Sequence, residues 1–243
     1  MASAFAKVEK EKFPDRQIVI GNFDTKIAYD SIVFNNNPNI THKKKLDSNK
    51  LVHFINNHPK NRPYINWKKS TLDNYIWNYN FSPKPGQIFL STEEIKKSKK
   101  IIEEAKSFWK KKKSNLYKKI IFIEPTSTKS GSDHYLYYKH LNKNWEINKW
   151  REVTNILGEE NLIIQSIHDS NTKLDNVFEC SVDFRGACSI INECDLYLGP
   201  EGGLGHAAAA FNKSAVIIFG GWIHPKVTGY DFHENIYIDI DGS

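Results

Sequence analysis

A chain of 243 residues and 28.1 kDa, with 40% hydrophobic and 13% aromatic residues, is long and apolar enough to bury a core as one large domain or two small ones. This excludes a disordered or fibrous chain. The net charge of +6 and pI near 9.0 admit an anionic partner. However, the basic runs at 43–45, 96–100 and 110–113 lie beside acidic residues and read as solvated faces. The three cysteines, Cys180, Cys188 and Cys194, form no CxxC pair, and the histidine spacing suggests no metal site. A sparse, odd set of cysteines fits a reducing compartment. With no apolar run of bilayer length and no signal-peptide pattern at the start, the expected location is cytoplasmic.

In chain order, residues 2–12 predict a helix ended by Phe13-Pro14-Asp15, and 17–21 predict a short apolar strand. Residues 27–34 read as a strand or short helix, 35–39 as a loop, and 51–57 as a strand or helix. The stretch 59–87 is irregular and rich in aromatics, which most simply cover a core under long loops. Residues 91–111 give the best helix of this half, opened by a capping box of Ser91 with Glu94.

The pattern then changes. Residues 119–125 form a continuous apolar run, the mark of a strand buried on both faces. Helices are expected at 145–157, 184–192 and 204–211, and strands at 161–167, 195–198, 214–219 and 235–239. Strand and helix alternating at short intervals predict βαβ units and a doubly wound parallel sheet. The expected division is a domain at 1–115 and a second at 116–243.

Ligands of such sheets bind at the carboxyl ends of the strands. There the chain reads Gly199-Pro200-Glu201-Gly202-Gly203-Leu204-Gly205-His206, followed by four alanines. Glycines let backbone amides approach a ligand. A helix start adds open N–H groups and partial positive charge, so this junction predicts a phosphate cradle. His206, in the first turn, would either donate to a phosphate oxygen or serve as a buried structural histidine.

Residues 194–221, CDLYLGPEGGLGHAAAAFNKSAVIIFGG, resemble the donor-site region of glycosyltransferase family 9, the heptosyltransferases of lipopolysaccharide core assembly. Gly203, Leu204, His206, Lys213 and Phe219-Gly220 match that family's pattern. Glu201 stands where the family has Asp, and Gly202 where it has Thr. Residues 121–126 resemble the first strand of the family's second domain, and Lys143-Asn144-Trp145 its Lys-x-Trp. His224-Pro225 and Thr228-Gly229-Tyr230 resemble a later loop, and residues 2–22 the family's first helix and second strand.

The resemblance implies an α/β fold of two Rossmann-like domains of the glycosyltransferase B type, the first incomplete at its N-terminus. The first domain would face the acceptor and the second bind the nucleotide sugar. It implies transfer of a heptose-like sugar from a nucleoside-diphosphate donor, ADP-heptose being favoured, to a glycan or glycolipid acceptor of lipopolysaccharide type. No metal or further cofactor is called for, and peripheral membrane contact is compatible with it. The implied donor contacts are Thr126, Lys143 (on the pyrophosphate), Glu201, Gly202, Gly203, Leu204 and His206. Ser127 and residues 165–168 are further candidates. For the family's missing Asp base, Asp24 and Glu124 are the substitutes, with Asp133 a third. A non-catalytic nucleotide-sugar-binding protein of the same fold stays open beside the enzyme. An epimerase lacks a convincing acid–base set. No RNA-binding motif appears, so nucleic acid is not expected as a partner.

Overall fold

The computed structural model describes residues 2–57, 62–71, 74–126, 143–168 and 171–238. The chain forms two compact units, Met1–Leu90 with Lys226–Thr228, and Ser91–Pro225 with Gly229–Ser243.

In the first unit a 3₁₀ turn, Ala2–Phe5, runs into helix α1 (Ala6–Lys12). Strand β1 (Gln17–Asn22) is buried throughout. It pairs antiparallel with β2 (Ile27–Ala28) and parallel with β3 (Val52–Asn56). The ambiguous stretch 27–34 thus resolves into a two-residue strand and a 3₁₀ turn at Ile32–Phe34, and 51–57 into a strand. Ala6, Ile20 and Ile40 form a small core, flanked by Phe34 and Ile55. In the aromatic stretch Trp67, Tyr75 and Trp77 pack on one another, near an isolated bridge from Ile65 to Trp77.

Helix α2 (Thr92–Lys112) opens with the expected capping box of Ser91 and Glu94, complete on both sides. Its lysines at 96, 97, 99, 100 and 110–112 are exposed, while Ser98, Ile102, Ala105 and Trp109 are buried. The units divide at Leu90, so this helix, expected in the first domain, belongs to the second. The reason is a tertiary lock on helix α4 (Phe184–Glu193). Arg185 grips the Glu94 carboxylate with two N–H groups, Nη2 at 2.8 Å from Oε2 and Nε on Oε1. Ser189 donates to the Glu94 carbonyl (3.0 Å) and meets Ser98 (2.9 Å).

The second unit is built on a fully parallel six-stranded sheet. Its strands are β4 (Ile120–Ile123), β5 (Leu162–Ser166), β6 (Phe178–Cys180), β7 (Leu196–Pro200), β8 (Ser214–Ile218) and β9 (Glu234–Ile236). Their order is β6-β5-β4-β7-β8-β9, so counting within this unit gives 3-2-1-4-5-6, the doubly wound nucleotide-binding arrangement. Every residue of β4 and β5 is buried, as the continuous apolar runs predict. Ile121 and Ile123 join Ile163, Leu198 and the fully buried Trp150 of helix α3 (Ile147–Leu157) in one core. Phe122, pointing to the other face, stacks on Tyr197 at 6.5 Å. Strand β6 has no apolar run of its own and exists through its pairing with β5, Ile164 opposite Phe178. The junction of interest carries helix α5 (Gly203–Ala210), and a single turn, α6 (Pro225–Thr228), follows β8. No helix among the described residues is long and apolar enough to cross a membrane.

Arg185 is 5% exposed, and its bonds hold the Glu94 carboxyl down at about 2. Removing one partner of such a pair strands the other. Glu94→Ala is therefore expected to lower the unfolding free energy in urea by about 3 kcal/mol at neutral pH. Because the folded carboxyl titrates below its unfolded value, this stability is present above pH 4.5 and fades toward pH 2. The gap between parent and variant should close over that window.

Candidate active site

The sheet reverses its direction of growth between β4 and β7, and in doubly wound sheets ligands bind in the crevice outside the carboxyl ends of the strands at such a point. Glu124 directly follows β4 and Glu201 directly follows β7. The two strands are laced at this level by the Glu124 amide donating to the Leu198 carbonyl at 3.0 Å.

Glu124 is 7% exposed, unusual for a carboxylate. One oxygen accepts from the Thr126 amide (3.1 Å) and hydroxyl (3.2 Å). The other faces His168 Nε2 at 3.3 Å, and the Asn171 amide reaches both oxygens at 3.4–3.5 Å. Asn171 is itself fixed by donating to the Ser166 carbonyl (2.6 Å) and accepting from the His168 amide (3.1 Å). Burial raises the Glu124 carboxyl above its ordinary range, against the opposing pull of Thr126 and His168. Tyr197 lies fully buried beside it. Its phenol is pushed well above the usual value by burial first and the Glu124 charge second. The cluster is a fixed carboxylate with a histidine at its side, able to hold or release a proton at the crevice.

The β7–α5 junction is built differently from the sequence expectation. Gly199 has room for no side chain because the Tyr197 ring crosses it: an added Cβ would lie 2.2 Å from the phenol oxygen and 3.0 Å from the Glu124 carbonyl. At Gly205 the Cβ would meet Ile217 at 3.0 Å, and at Gly203 the Phe184 ring at 3.2 Å. These three glycines serve packing. Only Gly202 faces open space, with nothing nearer than 3.9 Å. The first i→i−4 bond of α5 is His206 N to Gly202 O (3.3 Å), which leaves the amides of Gly203, Leu204 and Gly205 with no partner within the helix.

Lys143 and Glu201, both read as donor contacts, bind each other. Lys143 Nζ lies 2.6 Å from Glu201 Oε2, and the side chains are 15% and 12% exposed. The ammonium also sits 5.6 Å from the Trp222 ring. The pair is neutral as it stands, with two ammonium protons left over for a ligand.

His206 Nδ1 lies 2.9 Å from the Tyr230 hydroxyl. Burial pushes the imidazole down to about 4 and the phenol up to about 12. At neutral pH both groups are uncharged; with the phenol donating to Nδ1, the ring proton resides on Nε2, where a ligand oxygen could accept from it. The burial and the bond to Tyr230 fit the structural reading of His206.

Some expectations move. Gln165 is fully buried, and both ends of its amide are used: it donates to the Thr172 carbonyl (2.8 Å) and accepts from the Leu174 amide (2.9 Å). It clamps the loop after β5 and is no nucleoside contact. The Thr126 hydroxyl holds Glu124. Asp24 lies in the first unit, exposed, in the turn between β1 and β2, its amide bonded to the Asn22 side chain (2.9 Å). Ser127 and Asp133 fall outside the described residues. Asn171 and Tyr230 are the partners that sequence reading missed as such. An asparagine in a polar loop and a tyrosine past a Thr-Gly pair give no signal of the bonds they make.

A family model, glycosyltransferase family 9 (heptosyltransferase), matches residues 56–236. The chain belongs to glycosyltransferase family 9. No curated protein matches it. Among solved structures it is similar to an ADP-heptose lipopolysaccharide heptosyltransferase II of E. coli, 15% identical over 67% of this chain and 48% of that one, TM-score 0.43. It is also similar to the E. coli heptosyltransferase WaaC, solved with ADP-2-deoxy-2-fluoro heptose (14% identical, 54% of this chain and 40% of that one, TM-score 0.37). A family 9 glycosyltransferase from Veillonella parvula is a third (13% identical, 64% and 42% covered, TM-score 0.41). The chain thus spans 40–48% of the length of these proteins.

The depressed His206 value carries a sign. Between pH 6.5 and about 4 the unfolded chain binds a proton that the folded one resists, so stability is full above that window and falls within it. Denaturation at stepped pH should show a decline worth about 2–3 kcal/mol from this group. His206→Gln should remove most of that slope.

Proposed function

We propose that this family 9 chain binds a nucleoside-diphosphate sugar at the β4–β7 crevice of the second unit and transfers the sugar, heptose by the family's description, to a glycan or glycolipid acceptor. The observation that carries the reading is the meeting, at the reversal of the sheet, of open amides at the start of α5 with the fixed Glu124 carboxylate. The pyrophosphate would lie against the amides of Gly203, Leu204 and Gly205, with Gly202 leaving its approach clear. His206 Nε2–H and the Lys143 ammonium would be further donors. Glu201 holds Lys143 in place and would turn to sugar hydroxyls when phosphate takes the lysine. Thr126 acts through Glu124 and does not touch the donor.

In the transfer, the acceptor oxygen bonds to the anomeric carbon, the bond from that carbon to the diphosphate oxygen breaks, and the acceptor proton passes to a carboxylate. The leaving nucleoside diphosphate takes the electron pair and is stabilised by the same donors. Glu124 is the base that this geometry favours, poised by burial and held by Thr126, His168 and Asn171. Asp24 is the second candidate. ADP-heptose, the donor in the name of one similar E. coli enzyme, is the first sugar nucleotide to try. The three cysteines are free, which suits a reducing cytoplasm. A donor-binding protein without turnover is the second reading, favoured if the proton has no acceptor.

Nucleotides and nucleotide sugars should raise the melting temperature of the purified chain, ADP-heptose and ADP foremost. At 100 times Kd the stabilisation should be about 2.7 kcal/mol. Lys143→Ala and His206→Ala should each abolish the shift, and its absence in the parent would sink the donor site. If Glu124 is the base, Glu124→Gln should keep the shift but lose about 10²–10⁴-fold in turnover. Unchanged turnover in Glu124→Gln with loss in Asp24→Asn would move the role to Asp24. No turnover in the parent with any sugar nucleotide would favour the binding protein.

A further inference from the structure

The first unit holds a groove that the donor reading does not use. It has a volume of about 710 Å³ and is lined by Lys10, Arg16, Gln17, Lys45, Asp47 and Lys50, among others. It lies where β1 and β3 begin. Asp24 sits beyond the other end of β1, about 20 Å away at roughly 3.3 Å per residue. Ligand chemistry in parallel sheets gathers at the carboxyl ends of strands, so this is the end where no site is expected.

The walls of the groove are fixed by hydrogen bonds. Gln17 is buried, yet it is polar, and every group of its amide is used on one loop. Nε2 donates to the carbonyls of Asp47 (2.8 Å) and Lys50 (3.2 Å), and Oε1 accepts from the Asp47 amide (2.8 Å). Its own main-chain amide donates to the Leu51 carbonyl (2.9 Å), and the Thr41 amide to that of Ile18 (2.7 Å). On the opposite wall Lys10 Nζ donates to the carbonyls of Pro14 (2.7 Å) and Arg16 (2.9 Å), leaving one ammonium proton open. Arg16 lies over the Phe13 ring at 4.8 Å, which in turn stacks on His53 at 4.3 Å.

The groove carries an excess of positive charge. Four cations line it against two carboxylates, Asp15 and Asp47. Among the described residues, none of Lys10, Arg16, Lys45 and Lys50 has a carboxylate within ion-pair distance. A concave wall concentrates that field. A guanidinium fork held on an aromatic ring beside ammonium groups matches a tetrahedral oxyanion.

We propose that this groove, walled by Lys10, Arg16, Lys45 and Lys50, is a binding site for a phosphate group. The phosphate group would come either from a soluble phosphorylated molecule or from a lipid headgroup. The site is independent of the donor crevice.

Inorganic phosphate titrated calorimetrically into the whole chain at low salt should bind saturably. Arg16→Ala/Lys50→Ala should weaken that binding at least tenfold, and so should Lys45→Glu/Lys50→Glu, whose altered residues are exposed and whose fold is checked by its melting curve. Lys143→Ala, in the other unit, should leave it in place. Co-sedimentation with phosphatidylglycerol vesicles, set against phosphatidylcholine, names the source. Capture by the anionic vesicles that both double variants lose means a headgroup, and no capture with phosphate binding retained means a soluble ligand. The proposal is overturned if phosphate does not bind the parent, if binding survives both double variants, or if it disappears in Lys143→Ala alone and so belongs to the donor crevice.

Discussion

The structure turns on one constraint, the reversal of sheet growth between β4 and β7. A parallel sheet covered on both faces has no other place where a ligand can reach the strand ends between two diverging connections. The residues at those two ends are therefore the ones the proposed function draws on. Here they are a carboxylate at the end of β4, and at the end of β7 an ion pair followed by the start of a helix.

Buried polar groups then decide what each of these can do. A carboxylate taken from water is costly unless its oxygens are satisfied, and Glu124 has Thr126, His168 and Asn171 around it. The same logic explains why Gln165 and Gln17, in different units, each lie buried and clamp a loop with the whole amide. In the second unit the clamp shapes the loop that brings Asn171 to Glu124. In the first it holds the loop that carries Lys45 and Lys50. Rigid backbone under polar side chains lowers the ordering cost that binding at either proposed place would carry.

Much of the architecture could be read in the residues. The apolar runs over β4 and β5, the capping box of α2 and the glycine-rich start of α5 are local patterns with local causes, and each appears within one to three residues of its expected bounds. The meaning of the glycines was not readable. Glycine in a strand–turn–helix junction serves equally for approach to a phosphate or for a neighbour's ring, and only the folded arrangement shows Tyr197 lying across Gly199 and Ile217 against Gly205. Strand β6 and the attachment of α2 to the second unit were equally silent, since each rests on partners distant in the chain: β5, and Arg185, which is 91 residues from Glu94.

The sequence by itself determined the class of fold, because hydrophobic period and helix-start chemistry act within a few residues, and its motif over 194–221 carried the resemblance to the family. Tertiary structure decided which side chains meet there. Lys143 and Glu201, 58 residues apart, neutralise each other, His206 is kept neutral by burial beside Tyr230, and Glu124 is raised by burial. Pairing and desolvation depend on what the rest of the chain places around a group, and no local pattern encodes that.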